Sequence, residues 1–553
     1  MERDPDQLAS ARPSVPFGRS DGAGLAETAV RVVTAEQAMA CEAATIAAGT
    51  ESFVLMRAAG EAAARLIIER QADVRTAGAL IVAGTGNNGG DAWVVAGALA
   101  RAGCPVTMES LGEPRSADAQ RAQREAAGHL AAVSPAVQPA VVVDGVLGTG
   151  ARGDARGSAA EAITRINAMT GSAAIVALDV PSGMDATTGA GGAVVRADET
   201  YTFGTLKRGL LLRRDETGAI AVLDIGLRDD VHGTDADRDR TAAQRAAPAS
   251  APAARLVDAA WVRRAVPPIP ADAHKGVRRR LAILGGADGM AGAPMLAARG
   301  ALRSGIGMVQ LLVAPTNVPV VQAALPETMA ARWPVTAEDQ ERAIDWAHVF
   351  LLGPGLGRTV MSRALVERLL VAWRGPVVLD ADALNVFAGE PRSLGTLLGS
   401  RPAIVTPHPV EAARLLRLEP REVLERRFEV GGELARALGA TVVLKGPPTI
   451  ISAPDGRVAV SASGAPTLGT AGSGDALSGI IATLLGQTLD AFGAATSGAW
   501  IHGRAGEIAA RGGSVRGSSL EDVIASLRDV WSLDEPAPRA PMLAELPSVG
   551  RQR

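Results

Sequence analysis

Short, continuously apolar runs that end in glycine or a carboxylate, separated by stretches of helical character, constrain this chain more than any other feature. One series comprises residues 79–83, 141–143, 175–178 and 219–222. A second comprises 281–284, 309–313, 349–352, 377–379, 403–405 and 441–444. A strand apolar at every position is covered on both faces, and the intervening helices supply the cover. Each series therefore predicts a parallel sheet in a doubly wound α/β domain. Helices are expected over 35–70, 92–101 and 476–489.

The pattern stops at residue 227. Residues 228–255 are charged and then rich in Ala, Pro and Ser, and read as a linker. Residues 1–31 read as a mobile tail and 534–553 as a Pro-rich tail. This leaves two domains, 32–227 and 256–533, with no sequence repeat relating them. A chain of 553 residues accommodates both.

With 47% hydrophobic and 21% charged residues and a net charge of -3, the composition is that of a globular protein. It favours neither a nucleic-acid nor a membrane partner. Cys41 and Cys104 are too few for a disulfide framework or a Cys-rich zinc site, and no secretory segment is expected, so the cytoplasm is the expected compartment. The least polar stretch, 476–489, is shorter than the ~20 residues of a membrane span. Of 56 basic residues only Lys207, Lys275 and Lys445 are lysine. A compact ammonium retained against such a bias suggests need for its shape or pKa, although chance accounts for three cases as well.

Ligands of open α/β sheets bind beyond the carboxyl ends of the strands. In the first domain Gly84-Thr85-Gly86-Asn87-Asn88-Gly89-Gly90-Asp91 follows a strand and opens a helix, which Asp91 can cap. Two further strand ends carry Asp144-Gly145-Val146-Leu147-Gly148-Thr149-Gly150 and Asp179-Val180-Pro181-Ser182-Gly183-Met184-Asp185. Each Asp taken alone is more often a cap or turn former. Their concurrence at three strand ends favours a crevice, with Asn88, Asp144 and Ser182 as hard oxygen ligands for a cation and Asp179 as acid/base.

The strings NNGGD, DGVLGTG, LDVPSGMD and TFGTLKRGL resemble the epimerases of NAD(P)H hydrates, over about residues 32–227. That resemblance implies a Rossmann-like domain. It places the hydrate on Asn87, Asn88, Gly89, Gly90 and Asp91, on Gly148, Thr149, Gly150, Ala151, Arg152, Gly153 and Asp154, and on Asp179. It implies potassium (K+) on Asn88, Asp144 and Ser182, with Lys207 as a second acid/base group. Ala92 and Arg57 depart from the family pattern of glycine and glutamate, respectively, which leaves open a first domain that only binds ligand.

In the second domain Thr470-Ala471-Gly472-Ser473-Gly474-Asp475 precedes the apolar helix. Successive N–H groups there form an anion nest, with Asp475 beside it as base, as phosphoryl transfer requires. Gly353-Pro354-Gly355-Leu356-Gly357, Asp380-Ala381-Asp382, Thr406-Pro407-His408-Pro409 and Lys445-Gly446-Pro447-Pro448-Thr449 follow other strands. Together with His274-Lys275-Gly276 and the glycine-rich stretch up to Ala293, these resemble the ADP-dependent NAD(P)H-hydrate dehydratases, of ribokinase-like α/β/α fold, over about residues 256–533. The resemblance implies nucleotide on Lys445, Gly446, Pro447, Pro448, Thr449 and Gly474. It puts the hydrate on Ala293, Gly355, His408 and Asp475, with Lys275 near a phosphate, Mg2+ as cofactor and ADP as co-substrate. A two-domain homo-oligomer that repairs hydrated NADH and NADPH is expected, with a conventional small-molecule kinase as the rival.

Overall fold

A computed structural model describes residues 30–227 and 253–549. The expected tail over 1–31 and linker over 228–255 lie mostly outside these residues. All ten expected strands form, and both sheets are predominantly parallel, so the α/β class holds.

A seven-stranded sheet carries the first domain. Its order is Met542–Leu546, Ala219–Leu223, Glu199–Phe203, Ala174–Leu178, Val141–Gly145, Ala79–Ala83 and Val106–Ser110, and only the first of these runs antiparallel to its neighbour. Helices Ser52–Arg70 and Asn87–Arg101 bury Leu66, Ile67, Val95 and Leu99 against Ile81 and Val143. The expected single helix over 35–70 is two, Ala35–Ala47 and Ser52–Arg70, because Gly49 turns the chain at φ +101°.

The second sheet has twelve strands. Its second-domain portion runs Met329–Arg332, Met308–Val313, Arg280–Leu284, Val349–Leu352, Val377–Leu379, Ala403–Val405, Thr441–Leu444, Thr449–Ser452, Val458–Ser461 and Ala254–Leu256. Arg31–Val33 and Leu206–Lys207 of the first domain then complete it. The helix expected over 476–489 spans Ser473–Thr488, with Leu489 as its left-handed cap. It packs with Ala491–Gly512 and Gly292–Arg303 over one face of this sheet.

Three boundary expectations are corrected. Ala254–Leu256, which begins inside the segment read as linker, pairs on both sides with strands. Arg31, placed in the tail, begins a strand and is buried. The Pro-rich tail contains Met542–Leu546, which pairs antiparallel with Ala219–Leu223 and buries Ala544 and Leu546. Its alternation of buried and exposed residues is that of a strand covered on one face, a weaker signal than a continuous apolar run.

Candidate active sites

The three glycine- and carboxylate-bearing strand ends of the first domain converge as expected. Asn88 Nδ2 donates to the Leu147 carbonyl at 3.0 Å, and a Cβ on Gly148 would meet the Asn88 side chain at 3.0 Å. Gly89 is needed because a Cβ there would strike the Gly84 carbonyl at 1.9 Å. The helix begins at Asn87, so Asp91 lies inside its first turns and does not cap it; Gly89 and Gly90 are helical, and only Gly84 and Gly86 belong to the loop before it.

Asp144 is fully buried. Its carboxylate accepts from Ser182 Oγ (2.6 Å), Ser182 N (2.8 Å) and Val146 N (3.2 Å), with no cationic side chain paired to it among the described residues. Burial pushes its pKa up to about 6 against these hydrogen bonds. Asn88 Oδ1, also buried, has no hydrogen-bond partner. A buried carboxylate without a cationic partner and an orphaned amide oxygen, on side chains joined through the Leu147 carbonyl that both Asn88 Nδ2 and Ser182 Oγ bond, fit a monovalent cation.

Asp179 stands at φ +64°, strained for a residue with a side chain. Thr149 donates to its Oδ2 through both hydroxyl and backbone N–H, and Lys207 Nζ donates to its Oδ1 at 2.5 Å. Lys207 is 1% exposed and also donates to Thr202 Oγ1 and the Phe203 carbonyl, both at 3.1 Å. Burial alone would raise the Asp179 pKa, but Lys207 and Thr149 outweigh it and hold the carboxyl below its usual range. Asp91 is pushed well above that range, by desolvation first and then by Asp179 and Glu42. Glu42, from the first helix, is raised likewise. The motifs missed Glu42, which sits in an Ala-rich helix with no local signal. Of the remaining expected residues, Asn87 is exposed, while Arg152, Gly153 and Asp154 lie on an exposed loop. There Asp154 accepts from Gly192 N at 2.9 Å and Arg152 faces Asp185 at 3.8 Å.

In the second domain Lys445 is the hub. Its Nζ donates to Asp380 Oδ1 at 2.8 Å and lies 3.9 Å from Glu411 Oε2. A Cβ on Gly474 would meet the same Nζ at 3.3 Å, so the helix carrying Asp475 starts against this ammonium. Burial lowers the Lys445 pKa, yet Asp380 and Glu411 prevail and raise it. Asp475 is pushed up to about 7, by burial and then by Asp380, against the pull of Lys445.

Gly472, at φ +85°, opens this helix, and Ser473 Oγ lies 3.1 Å from His502 Nε2. Burial and Lys445 press His502 down to about 4, so it is neutral. Gly355 closes on Ala293, where a Cβ would come within 3.1 Å, and Gly357 N donates to Asp382 at 2.9 Å. His408 caps helix Pro409–Leu416 through Nδ1 to Val410 N, and Glu411 accepts from His408 N at 2.8 Å. Gly355, His408, Lys445 and Gly446 all follow the carboxyl ends of parallel strands, with Ala293 against Gly355 and the helix of Gly474 and Asp475 against Lys445. Asp380 and Glu411 belong with them; the first was visible as a carboxylate after a strand, the second only as the third residue of a helix.

Lys275 does not join them. It is exposed, and its carbonyl packs at Gly307, beside the amino-terminal ends of the strands and opposite the site. A strand begins only at Arg280, so the HKG segment lies on the entry edge of the sheet. Among the described residues no three or more His, Cys, Asp or Glu side chains are grouped to hold a metal ion, and no helix is long and apolar enough to cross a membrane.

Two α/β domains, each with glycine- and carboxylate-bearing segments after the carboxyl ends of its strands, define a tandem α/β enzyme. Residues 281–527 match the family model described as NAD(P)H-hydrate dehydratase, and residues 52–209 that of the YjeF-related protein N-terminus. The bifunctional NAD(P)H-hydrate repair enzyme of Moorella thermoacetica is 37% identical, over 86% of this chain and 91% of its own length. That of Escherichia coli is 34% identical, over 87% and 90%. The chain belongs to the family of bifunctional NAD(P)H-hydrate repair enzymes. Among solved structures it is similar to the ADP/ATP-dependent NAD(P)H-hydrate dehydratase of Bacillus subtilis, at 29% identity and a TM-score of 0.43, over 50% of this chain and 96% of that one.

Proposed function

We propose that the first domain interconverts the R and S forms of hydrated NADH and NADPH, and that the second returns the S form to NAD(P)H at the expense of ADP. The observation that supports this reading is the placement of Asp475 on a helix that starts against the Lys445 ammonium, which is itself bonded to Asp380 at 2.8 Å.

In the second site Asp475 takes the proton of the ring hydroxyl, whose oxygen attacks the terminal phosphorus of ADP. The bond to the bridging oxygen breaks and AMP leaves. Phosphate is then a good leaving group: the ring nitrogen's electron pair expels it, a ring proton is lost, and the dihydropyridine is restored. Lys445 and the N–H groups of the nest hold the phosphate charge. Mg2+ would enter with the nucleotide phosphates, since the protein offers carboxylates near Lys445 and, among the described residues, no cluster of three or more His, Cys, Asp or Glu to hold it alone.

In the first site ionised Asp179, held by Lys207 and Thr149, is the base, and Asp91 and Lys207 bind around the hydrated ring. K+ would be held by Asn88 Oδ1, Asp144 and Ser182, where it supplies a fixed positive charge beside the substrate. Joining the two activities makes chemical sense, because only one epimer presents its hydroxyl to the transfer site. The same reading extends to a cytoplasmic homo-oligomer acting on small molecules, without nucleic acid or membrane, which analytical sedimentation tests. The function itself is tested by offering mixed NADH hydrates with ADP, Mg2+ and K+ and following NADH. Recovery from both epimers supports it.

A further inference from the structure

The nucleotide loop rests on a buried cation that no motif accounts for. Arg427 opens helix Arg427–Leu438 and is 5% exposed. Its Nη1 donates to the Pro447 carbonyl at 3.0 Å and its Nη2 to the Lys445 carbonyl at 3.2 Å. Among the described residues no carboxylate pairs with it, and its Nε is buried without an acceptor. Gly446, between the two accepting residues, stands at φ +139°, and a Cβ there would meet Nη2 at 2.2 Å. Loop and guanidinium are therefore built to each other.

A buried charge with no counter-charge is costly to a fold and is retained where it has another use. The planar fork donates to two carbonyls of one turn through its two terminal nitrogens, a fixed planar geometry that a compact ammonium lacks. Burial lowers the pKa only to about 10, so the charge persists at neutral pH. The helix start is itself fixed: Arg208 of the first domain pairs with Glu429 at 2.9 Å and stacks 4.5 Å over Phe428.

We infer that Arg427 is a positioning residue for the transfer reaction, holding residues 445–449 in the shape that receives the nucleotide and leaving a positive charge behind that loop which an anionic nucleotide offsets. This inference rests on the proposed dehydratase reading.

Its test is steady-state kinetics of the full-length R427M and R427K variants with ADP and the S hydrate. Losing two charge-assisted hydrogen bonds predicts an ADP KM raised about tenfold or more in R427M. The hydrate KM should be unchanged and kcat should stay within about threefold of wild type. R427K, keeping the charge and one donor direction, should fall between. If R427M does not fold by circular dichroism, R427K carries the test through the same split. An unchanged ADP KM overturns the inference, as does a parallel loss in kcat and both KM values that R427K does not relieve. If wild type itself recovers no NADH with nucleotide, the functional reading falls instead, so the two failures are distinguishable.

Discussion

Lys207 reaches Asp179 at 2.5 Å from a position almost wholly withdrawn from solvent, and it is the only cationic side chain paired to that carboxylate among the described residues. Asp179 is thereby kept ionised, while its neighbour Asp91 is pushed towards the protonated form. Lys207 thus holds Asp179 down, while desolvation and the charges of Asp179 and Glu42 raise Asp91 against the pull of the same ammonium.

Lys207→Met should abolish epimerisation and destabilise the chain by about 3 kcal/mol or more, because it strands a buried carboxylate. Chiral separation of the R and S hydrates over time, together with denaturant melts, reads both effects. Retained epimerase activity contradicts the role given to the pair.

Dehydration should show an acid limb with its midpoint near 7. The base is needed ionised, and burial with Asp380 has raised the Asp475 pKa to about 7, so the rate climbs with pH through that value and levels off above it. Asp475→Asn should remove the limb and cost ~10²–10⁴ in kcat. The epimerase limb should lie lower, since Asp179 is held below its usual range.

Potassium should raise the melting temperature of the wild-type chain in a concentration-dependent way, as any ligand of the folded state does. Asn88→Leu removes the orphaned oxygen and should flatten that response. Calorimetry in potassium against a large organic cation measures it. A response that survives in Asn88→Leu places the ion elsewhere.

Deleting residues 541–553 should loosen the first domain. Met542–Leu546 covers the edge of Ala219–Leu223, and Glu545 pairs with Arg70 at 2.7 Å. The loss of Leu546 burial alone is worth about 2 kcal/mol. Epimerase activity should become more heat-labile, and hydrogen exchange should rise along Ala219–Leu223.

The architecture was legible because fully covered strands announce themselves as unbroken apolar runs, and each of the ten read that way is present. Strands with partly polar sequences, such as Val106–Ser110, Glu199–Phe203 and Met542–Leu546, were not. The glycine- and carboxylate-bearing segments read after the apolar runs do follow the carboxyl ends of the strands, and in the first domain they pack against one another. What stayed hidden comes from other elements: Glu42, Glu411 and Arg427 reach the sites from helices, and only tertiary packing brings them there. Lys275 shows the converse, a residue with the right chemistry and motif on the wrong edge of the sheet.

The most direct measurement is NADH recovery from an equal mixture of R and S hydrates with ADP, Mg2+ and K+, comparing wild type with Asp179→Ala and Asp475→Ala. The account predicts that wild type consumes both forms. Asp179→Ala should stall once the S form is spent, and Asp475→Ala should recover no NADH while still interconverting the epimers. NADH recovery by Asp475→Ala at the wild-type rate would contradict it.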